Sequence, residues 1–294
     1  MQASLRAAAA VTFTSLLAVA APQTVFARCE KAHTHRPVED LFASDVVYLQ
    51  EEGELQLELK PARRRDASVR TTTLEADVEY GPRDWWQVET EWDARQWTRA
   101  ADGTVTSHVG DVAIGTRFGR RCIGGSPYHL SVGMDVSIPG DTIGHGREAM
   151  RHVALAPALI VARDVARTTH VFTAIELQAP LNRGKSSTPD WSYTSDTGVF
   201  VRLLRGFRVT AELSVEGGPD QEREVHFLPG LLWHRGDEIE IGVALLAPIG
   251  QDASRGVLAH VVCEIGGRHR RNSVRSETLT PRATAPDRKA VFGV

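Results

Sequence analysis

Residues 53–266 alternate between apolar and polar side chains with a period of two, which is the pattern of β-strands with two different faces. In TTTLEADVEY at 71–80, the leucine, alanine, valine and tyrosine share one face and the three acidic residues share the other. After a Gly-Pro turn the alternation resumes in WQVETEWD at 86–93. Two such runs separated by a short turn predict a β-hairpin.

The same alternation recurs along the chain and predicts an all-β protein of about twelve strands. Each run spans roughly 8 to 12 residues, and a tilted strand needs about 9 to 11 residues to cross a bilayer. Pro157 and Pro229 fall inside runs, where we expect β-bulges. The predicted strands lie near 53–60, 71–80, 86–93, 109–118, 128–138, 152–162, 169–178, 195–203, 207–216, 224–234, 238–246 and 256–265.

The connections between these strands alternate in length along the chain. Those after even-numbered strands are short, such as GPRD, LRG and RGD, whereas those after odd-numbered strands are longer and more polar, such as QWTRAADGTVTSH and PLNRGKSSTPDWSYT. Short turns at one rim and long loops at the other are typical of outer-membrane barrels. We therefore predict a closed antiparallel transmembrane β-barrel with up-and-down topology over residues 53–266, with both chain ends at the short-turn rim.

Aromatic residues on the apolar face cluster beside the short turns and predict an interfacial girdle. Trp92 is expected at the opposite rim. Alternation alone also fits a soluble sheet with one wet face, so a soluble periplasmic β-protein remains an alternative. The girdle residues are Tyr80, Trp86, Phe118, Tyr128, Phe207 and Trp233.

The ends of the chain differ from the barrel region in composition. Arg6, an apolar run and Val25-Phe26-Ala27 predict a secretory signal peptide over residues 1–27, with an uncleaved anchor helix as the alternative. Residues 28–52 are interpreted as an N-terminal periplasmic segment. Residues 267–294 are interpreted as a flexible basic tail. Export through a cleaved signal peptide to the bacterial outer membrane follows from this organisation.

Composition and residue spacing argue against several classes of function for the chain. A net charge of −3 gives no basic field for nucleic acid. Cys29, Cys122 and Cys263 allow at most one internal disulfide, and we assign none. The cysteine spacing and the scattered histidines predict no metal site. No catalytic constellation, phosphate loop or dinucleotide fingerprint indicates an enzyme or a cofactor.

The polar face of the predicted strands is acidic, and in a barrel it would line the lumen. Fewer bases share this face, chiefly Arg95, Arg117, Arg202 and Arg208. An open lumen of this kind favours cations or neutral solutes over anions. The alternative is a plugged barrel, in which the carboxylates are solvated or pair with the arginines. The candidate lumen acids are Glu75, Asp77, Glu79, Glu89, Glu91, Asp93, Asp111, Asp135, Glu176 and Glu240.

Three segments resemble the family named for the MetA-pathway of phenol degradation. They are RPVEDLFASDVVYLQEEGELQLEL at 36–59, HVGDVAIGTRFG at 108–119 and PGLLWHRGDEIEIGVALLAPIG at 229–250. The resemblance implies an outer-membrane barrel associated with transport, and the family has no agreed catalytic residues to carry over to this chain. The last strand departs from barrel chains, because it lacks the terminal aromatic residue that the outer-membrane assembly machinery reads.

The expected function is therefore a passive channel or transporter for small solutes, with outer-membrane lipid and the assembly machinery as partners. The sequence specifies neither the solute nor the oligomeric state. A non-transporting barrel remains the alternative, either a phospholipase-like enzyme or a structural or adhesive scaffold.

Overall fold

The computed structural model describes residues 41–43, 46–66, 68–140, 153–181, 191–204, 206–219, 222–236, 238–250 and 254–266. The predicted signal peptide at 1–27, residues 28–40 and the predicted tail at 267–294 lie outside the described residues. Within those residues, no helix has the length and apolar character needed to cross a bilayer.

The described chain is built almost entirely of β-strands, interrupted by one short 3₁₀ turn at Ile123–Gly125. Neighbouring strands are antiparallel throughout. The strands are β1 Glu54–Arg65, β2 Arg70–Arg83, β3 Trp86–Arg99, β4 Val105–His108, β5 Val112–Arg120, β6 Tyr128–Ile138, β7 Ala154–Ala166, β8 Thr169–Pro180, β9 Ser192–Leu204, β10 Phe207–Gly217, β11 Glu224–Arg235, β12 Ile239–Pro248 and β13 Arg255–Gly266.

The strands close into a barrel. Each strand pairs with its neighbour in sequence, apart from the short β4, and β1 pairs with β13 to complete the ring. The wall therefore has twelve strands. The short β4 pairs only with the end of β3 at the long-loop rim, and the rest of β3 pairs directly with β5. This confirms the predicted fold class and strand number. The chain enters β1 and leaves β13 side by side at the short-turn rim, where Glu54 pairs with Gly266.

Alternation places two different surfaces on the two sides of this wall. Leu57, Val78 and Val261 are exposed on the outward face, whereas Gln56, Glu58 and Glu79 are buried on the inward face. Successive side chains of a strand point to opposite faces, so the period of two read from the sequence becomes an apolar outside and a polar inside. The outside is an exposed apolar band that surrounds the barrel.

Two details of the wall differ from the sequence-based expectations. The polar stretch between the first two strands is mostly strand, because β1 and β2 stay paired up to Arg65 and Arg70. Pro157 and Pro229 lie in strands whose register does not shift around them. Pro229 keeps its partner Ala211 in β10, while β11 has no ladder pair with β12 at that position. A strand can accommodate a proline in this way, because the missing backbone N–H would donate a hydrogen bond to only one of the two neighbouring strands.

Candidate functional site in the barrel lumen

Part of the lumen is filled by the chain itself. Residues 41–50, here called the plug segment and described at 41–43 and 46–50, were assigned from sequence to a periplasmic segment. In the structure the described residues of the plug segment pack inside the barrel, from Phe42 near the middle of the lumen to Gln50 at the short-turn rim. Gly53, which has a φ of +80°, then turns the chain into β1.

Apolar contacts hold the plug segment against one sector of the wall. Its apolar side chains share a buried cluster with inward residues of β7 to β9 and β11 to β13. The plug residues of the cluster are Leu41, Phe42, Val46, Val47 and Tyr48. Burial of each large apolar side chain contributes about 1.5 to 3 kcal/mol, so this cluster is a main source of the plug's stability. The wall residues of the cluster are Ile160, Ala162, Phe172, Phe200, Leu228, Leu232, Ala244, Leu246 and Leu258.

A buried carboxylate fixes the upper end of the plug segment. Glu212 on β10 accepts hydrogen bonds from the backbone N–H of Phe42 (3.2 Å) and of Ala43 (3.0 Å). The Phe42 ring stacks on His260, with the ring centroids 4.9 Å apart. Gly230 leaves the space for this ring, because a Cβ there would collide with it. Glu212 thus satisfies backbone donors that would otherwise be buried without acceptors.

Polar contacts fix the lower end of the plug segment near the short-turn rim. The Gln50 backbone N–H donates to Gln87 Oε1 (3.1 Å), and the Gln50 side-chain amide donates to Gln56 Oε1 (2.7 Å) and to Glu79. Tyr48 lies with its hydroxyl 3.4 Å from His170 Nδ1. Burial raises the pKa of Tyr48, and the nearby charge of Asp164 raises it further.

An acidic cavity of about 220 Å³ lies elsewhere in the lumen and is lined by residues of β2, β3 and β5 to β8. Gly115 stands opposite both Glu89 and Asp135 in the ladders, and a Cβ at this position would overlap both carboxylates. Arg117 donates to Glu89 at 2.8 Å inside this cavity. Its acidic lining residues are Asp77, Glu89, Glu91, Asp93, Asp111, Asp135 and Glu176.

The structure thus brings seven of the ten candidate lumen acids into one cavity. Glu75 lines a larger cavity beside it, and Glu79 lies at the short-turn rim against Gln50. Glu240 lies on the far wall, where its carboxylate accepts a hydrogen bond from Arg208 at 2.6 Å. Whether these carboxylates select ions remains a prediction.

The larger cavity, of about 470 Å³, spans the lumen above the plug segment. Its floor is formed by Leu41–Ala43. One side carries charged residues such as Glu75 and Glu91, and the other carries apolar residues such as Ile160 and Leu246. This volume falls in the range of about 300 to 1,000 Å³ that is typical of small-molecule sites.

The predicted lumen bases have different positions. Arg117 and Arg208 are buried inside the barrel against Glu89 and Glu240. Arg202 pairs across the ladder with Arg208, so it shares the inward face at the short-turn rim. The prediction for Arg95 is wrong, because a β-bulge at Ala94 places Arg95 opposite the outward-facing Leu74.

The six predicted girdle residues all lie on the outward face beside the short turns. Trp86 and Phe118 are directly paired across β3 and β5, and Phe207 and Trp233 are paired across β10 and β11. Trp85, which the sequence pattern missed because it lies in a turn, stacks on Trp86. Exposed aromatic residues also occur at the long-loop rim, namely Trp92, Trp97 and Trp191.

Sequence reasoning missed the apolar sector of the lumen. The signal for it was the near-continuous apolar run of strands such as ALAPALIVA in β7 and IGVALLAP in β12, in which both faces are apolar. Such runs indicate strands buried on both sides. Among the described residues, no group of three or more His, Cys, Asp or Glu side chains could hold a metal ion.

The cysteines differ from the sequence-based assignment. Cys122, in the turn between β5 and β6, is disulfide-bonded, although no disulfide was assigned from sequence. Cys263 is a free thiol in β13, between Leu57 and Ile239 of the adjoining strands. Cys29 lies outside the described residues.

Comparison with solved structures identifies barrels of the same fold. An outer membrane channel from Pseudomonas putida F1 is similar with a TM-score of 0.56 and 10% identity over 74% of this chain and 98% of that chain. The NanC porin is similar with a TM-score of 0.50 and 12% identity over 70% of this chain and 98% of that chain. No protein-family model and no curated protein matches the sequence. The comparisons therefore establish the fold, and the resemblance to the phenol-degradation family is not confirmed.

Proposed function

We propose that this chain is an outer-membrane barrel that serves as a passive channel for small solutes. The observation that carries the proposal is a closed wall, apolar outside and polar inside, around a cavity of about 470 Å³ above the plug segment. In water, a continuous exposed apolar band would be an aggregation site, whereas in a bilayer it is the required surface. Membership of the phenol-degradation family and export through a signal peptide at 1–27 belong to the same proposal.

We expect the protein to fractionate with the outer membrane and to migrate faster on gels when it is left unheated. The physical reason is that every wall strand is paired on both sides, so the barrel has no free edge and resists detergent. Fractionation followed by gel mobility with and without heating measures both properties. Recovery of the protein in the soluble periplasmic fraction would support the soluble β-protein alternative and contradict the proposal.

The lumen favours cations and neutral solutes over anions in this proposal. Seven carboxylates face one cavity, and Arg117 is the basic residue that lines it. Because a ring of one charge sign attracts the opposite ion, the acidic wall raises the barrier for anions. The apolar wall opposite, which includes Ile160 and Leu246, would accommodate the apolar part of a solute.

We expect reversal potentials in a salt gradient to indicate cation preference, and this preference to fall when the cavity acids are neutralised. The test variant combines Asp77→Asn, Glu91→Gln, Asp93→Asn and Asp111→Asn and leaves the Glu89–Arg117 pair intact. The measurement uses the barrel with its plug segment replaced, because its expected larger current gives a more precise reversal potential.

Asp102→Asn is the matched control, because this exposed acid lies in the β3–β4 turn outside the cavity. The control is expected to keep the selectivity of the parent barrel. Anion preference in the parent barrel, or equal selectivity of the parent and the four-residue variant, would overturn the proposed acidic filter.

A non-transporting barrel is the second candidate function, and the plug segment is the observation that favours it. Its buried cluster and the contacts of Phe42 and Gln50 fill the lower lumen. In this case the barrel would act as a scaffold that displays its loops. Conductance of the wild-type barrel separates the two functions, because a scaffold that is closed by its plug segment conducts only after the segment has been replaced.

A further inference from the structure

The ladder register places four arginines in one row across four adjacent strands. Arg65 of β1 pairs directly with Arg255 of β13 and with Arg70 of β2, and Arg70 pairs with Arg99 of β3. Residues directly opposite in antiparallel strands carry their Cβ atoms on the same face, about 4.5 to 5.5 Å apart. These four residues are called the arginine row, and they lie at the long-loop end of the barrel.

The arginine row faces outward. Arg65 lies an even number of residues from the exposed Leu57 and Leu59 in β1, and its side chain is itself exposed. Arg63 adds a fifth guanidinium on the same face. Arg95 adds a sixth, because the bulge at Ala94 turns it to this side, where it donates to Ser107 Oγ at 3.0 Å.

No carboxylate neutralises the arginine row within the described chain. None of Arg63, Arg65, Arg70, Arg99 and Arg255 forms an ion pair with a described acidic residue. At the short-turn rim, by contrast, Arg83 lies 3.3 Å from Glu52, and Arg163 lies over the Tyr128 ring. Like charges directly opposite in a ladder are destabilising, so the row favours an external anion.

The height of the arginine row matches a lipid headgroup. The outward face of β1 is apolar at Leu55, Leu57 and Leu59 and becomes basic at Arg63. Eight residues of a tilted strand rise by about 20 Å, close to the thickness of the apolar band of a membrane barrel. The exposed indole of Trp97 lies two residues from Arg99 in β3, as expected at an interface.

We propose that the arginine row binds the phosphate groups of a phosphorylated glycolipid in the outer leaflet, of the lipid A type. Guanidinium groups bind phosphate oxygens with two parallel hydrogen bonds, and several of them in a row suit a headgroup with more than one phosphate. The acyl chains of such a lipid would lie along the apolar band below. The proposal rests on the proposed outer-membrane location but not on channel activity.

The test measures how much diphosphoryl lipid A stays bound to the full-length protein in detergent. The test variant combines Arg65→Gln, Arg70→Gln and Arg255→Gln. The control variant combines Arg120→Gln, Arg167→Gln and Arg235→Gln, three exposed arginines at the short-turn rim. Each protein is incubated with the lipid and passed through gel filtration, and the retained lipid is quantified by mass spectrometry.

We expect the test variant to retain about tenfold less lipid than the wild type, and the control variant to equal the wild type. Dephosphorylated lipid A on wild-type protein is expected to show a similar loss, and this comparison needs no variant to fold. Equal retention by the test and control variants would overturn the proposal. So would wild-type retention of phosphatidylglycerol as strong as that of lipid A, since it indicates general attraction to anionic lipid. Fractionation tests the membrane location separately, so the two failures are distinguishable.

Discussion

Replacement of residues 41–50 by a Gly-Ser sequence of equal length is expected to raise the single-channel conductance of the barrel by about tenfold or more. The plug segment fills the lumen from mid-height to the short-turn rim and is held there by buried apolar contacts. A Gly-Ser segment offers no apolar side chains to the wall and stays mobile. Equal length keeps the start of β1 at Glu54 in register. Planar-bilayer recordings measure the change.

Residues 270–279 in the predicted tail provide the control, since the same Gly-Ser replacement there leaves the plug segment intact. A finer variant, Gly230→Leu, puts a side chain where the Phe42 ring lies and should open the barrel partly. Gly133→Ala is its matched control, because a Cβ at that inward glycine meets only ordinary contacts. If neither the wild type nor the plug-replaced barrel conducts, the wall itself closes the lumen, and the channel proposal fails in favour of the scaffold.

Glu240→Ala is expected to lower the free energy of unfolding by about 3 to 5 kcal/mol. Glu240 is fully buried, and its carboxylate accepts a hydrogen bond from Arg208 at 2.6 Å, with His234 and His260 within 4 Å. Its removal leaves the buried Arg208 guanidinium without this countercharge inside the barrel. Urea titration of the refolded barrel in lipid vesicles, followed by gel mobility, measures the loss.

The double variant Glu240→Met with Arg208→Met tests whether the loss of stability comes from the unpaired Arg208 charge. Replacement of a whole buried ion pair by apolar residues of similar size is often neutral, so this variant should be much more stable than Glu240→Ala. Glu75→Gln is the control, because the Lys60–Glu75 pair is about a quarter exposed and contributes at most about 1 kcal/mol. If the Glu240→Ala barrel is as stable as the control variant, the predicted contribution of the Arg208–Glu240 pair to the free energy of unfolding is wrong.

Much of the wall was predictable from sequence because strand faces are a local property. The alternation of Leu55, Leu57 and Leu59 with Glu54, Gln56 and Glu58 needs no knowledge of neighbours, since a strand turns successive side chains to opposite sides. The short turns could be located for the same reason. A closed wall of these twelve strands is consistent with that pattern, because closure pairs the first strand with the last and leaves no unpaired edge.

The contents of the lumen were not predictable, because they depend on contacts between residues far apart in sequence. Phe42 and Glu212 are 170 residues apart, and nothing near Phe42 in sequence indicates that its backbone donates to a carboxylate in β10. An apolar residue that faces lipid and one that faces a plug look alike in a sequence. For this reason Leu228 and Leu232 could not be assigned to the lumen from their pattern alone.

The sequence by itself determined an alternating, acidic-inside and apolar-outside wall with aromatic residues beside its short turns. Only the tertiary structure decided that residues 41–43 and 46–50 lie in the lumen and that Arg95 turns outward. It also decided that Arg65, Arg70, Arg99 and Arg255 form a row. The physical reason is register. Side-chain direction is set within each strand, but which side chains meet is set by strand pairing, by bulges such as that at Ala94 and by packing against a distant segment.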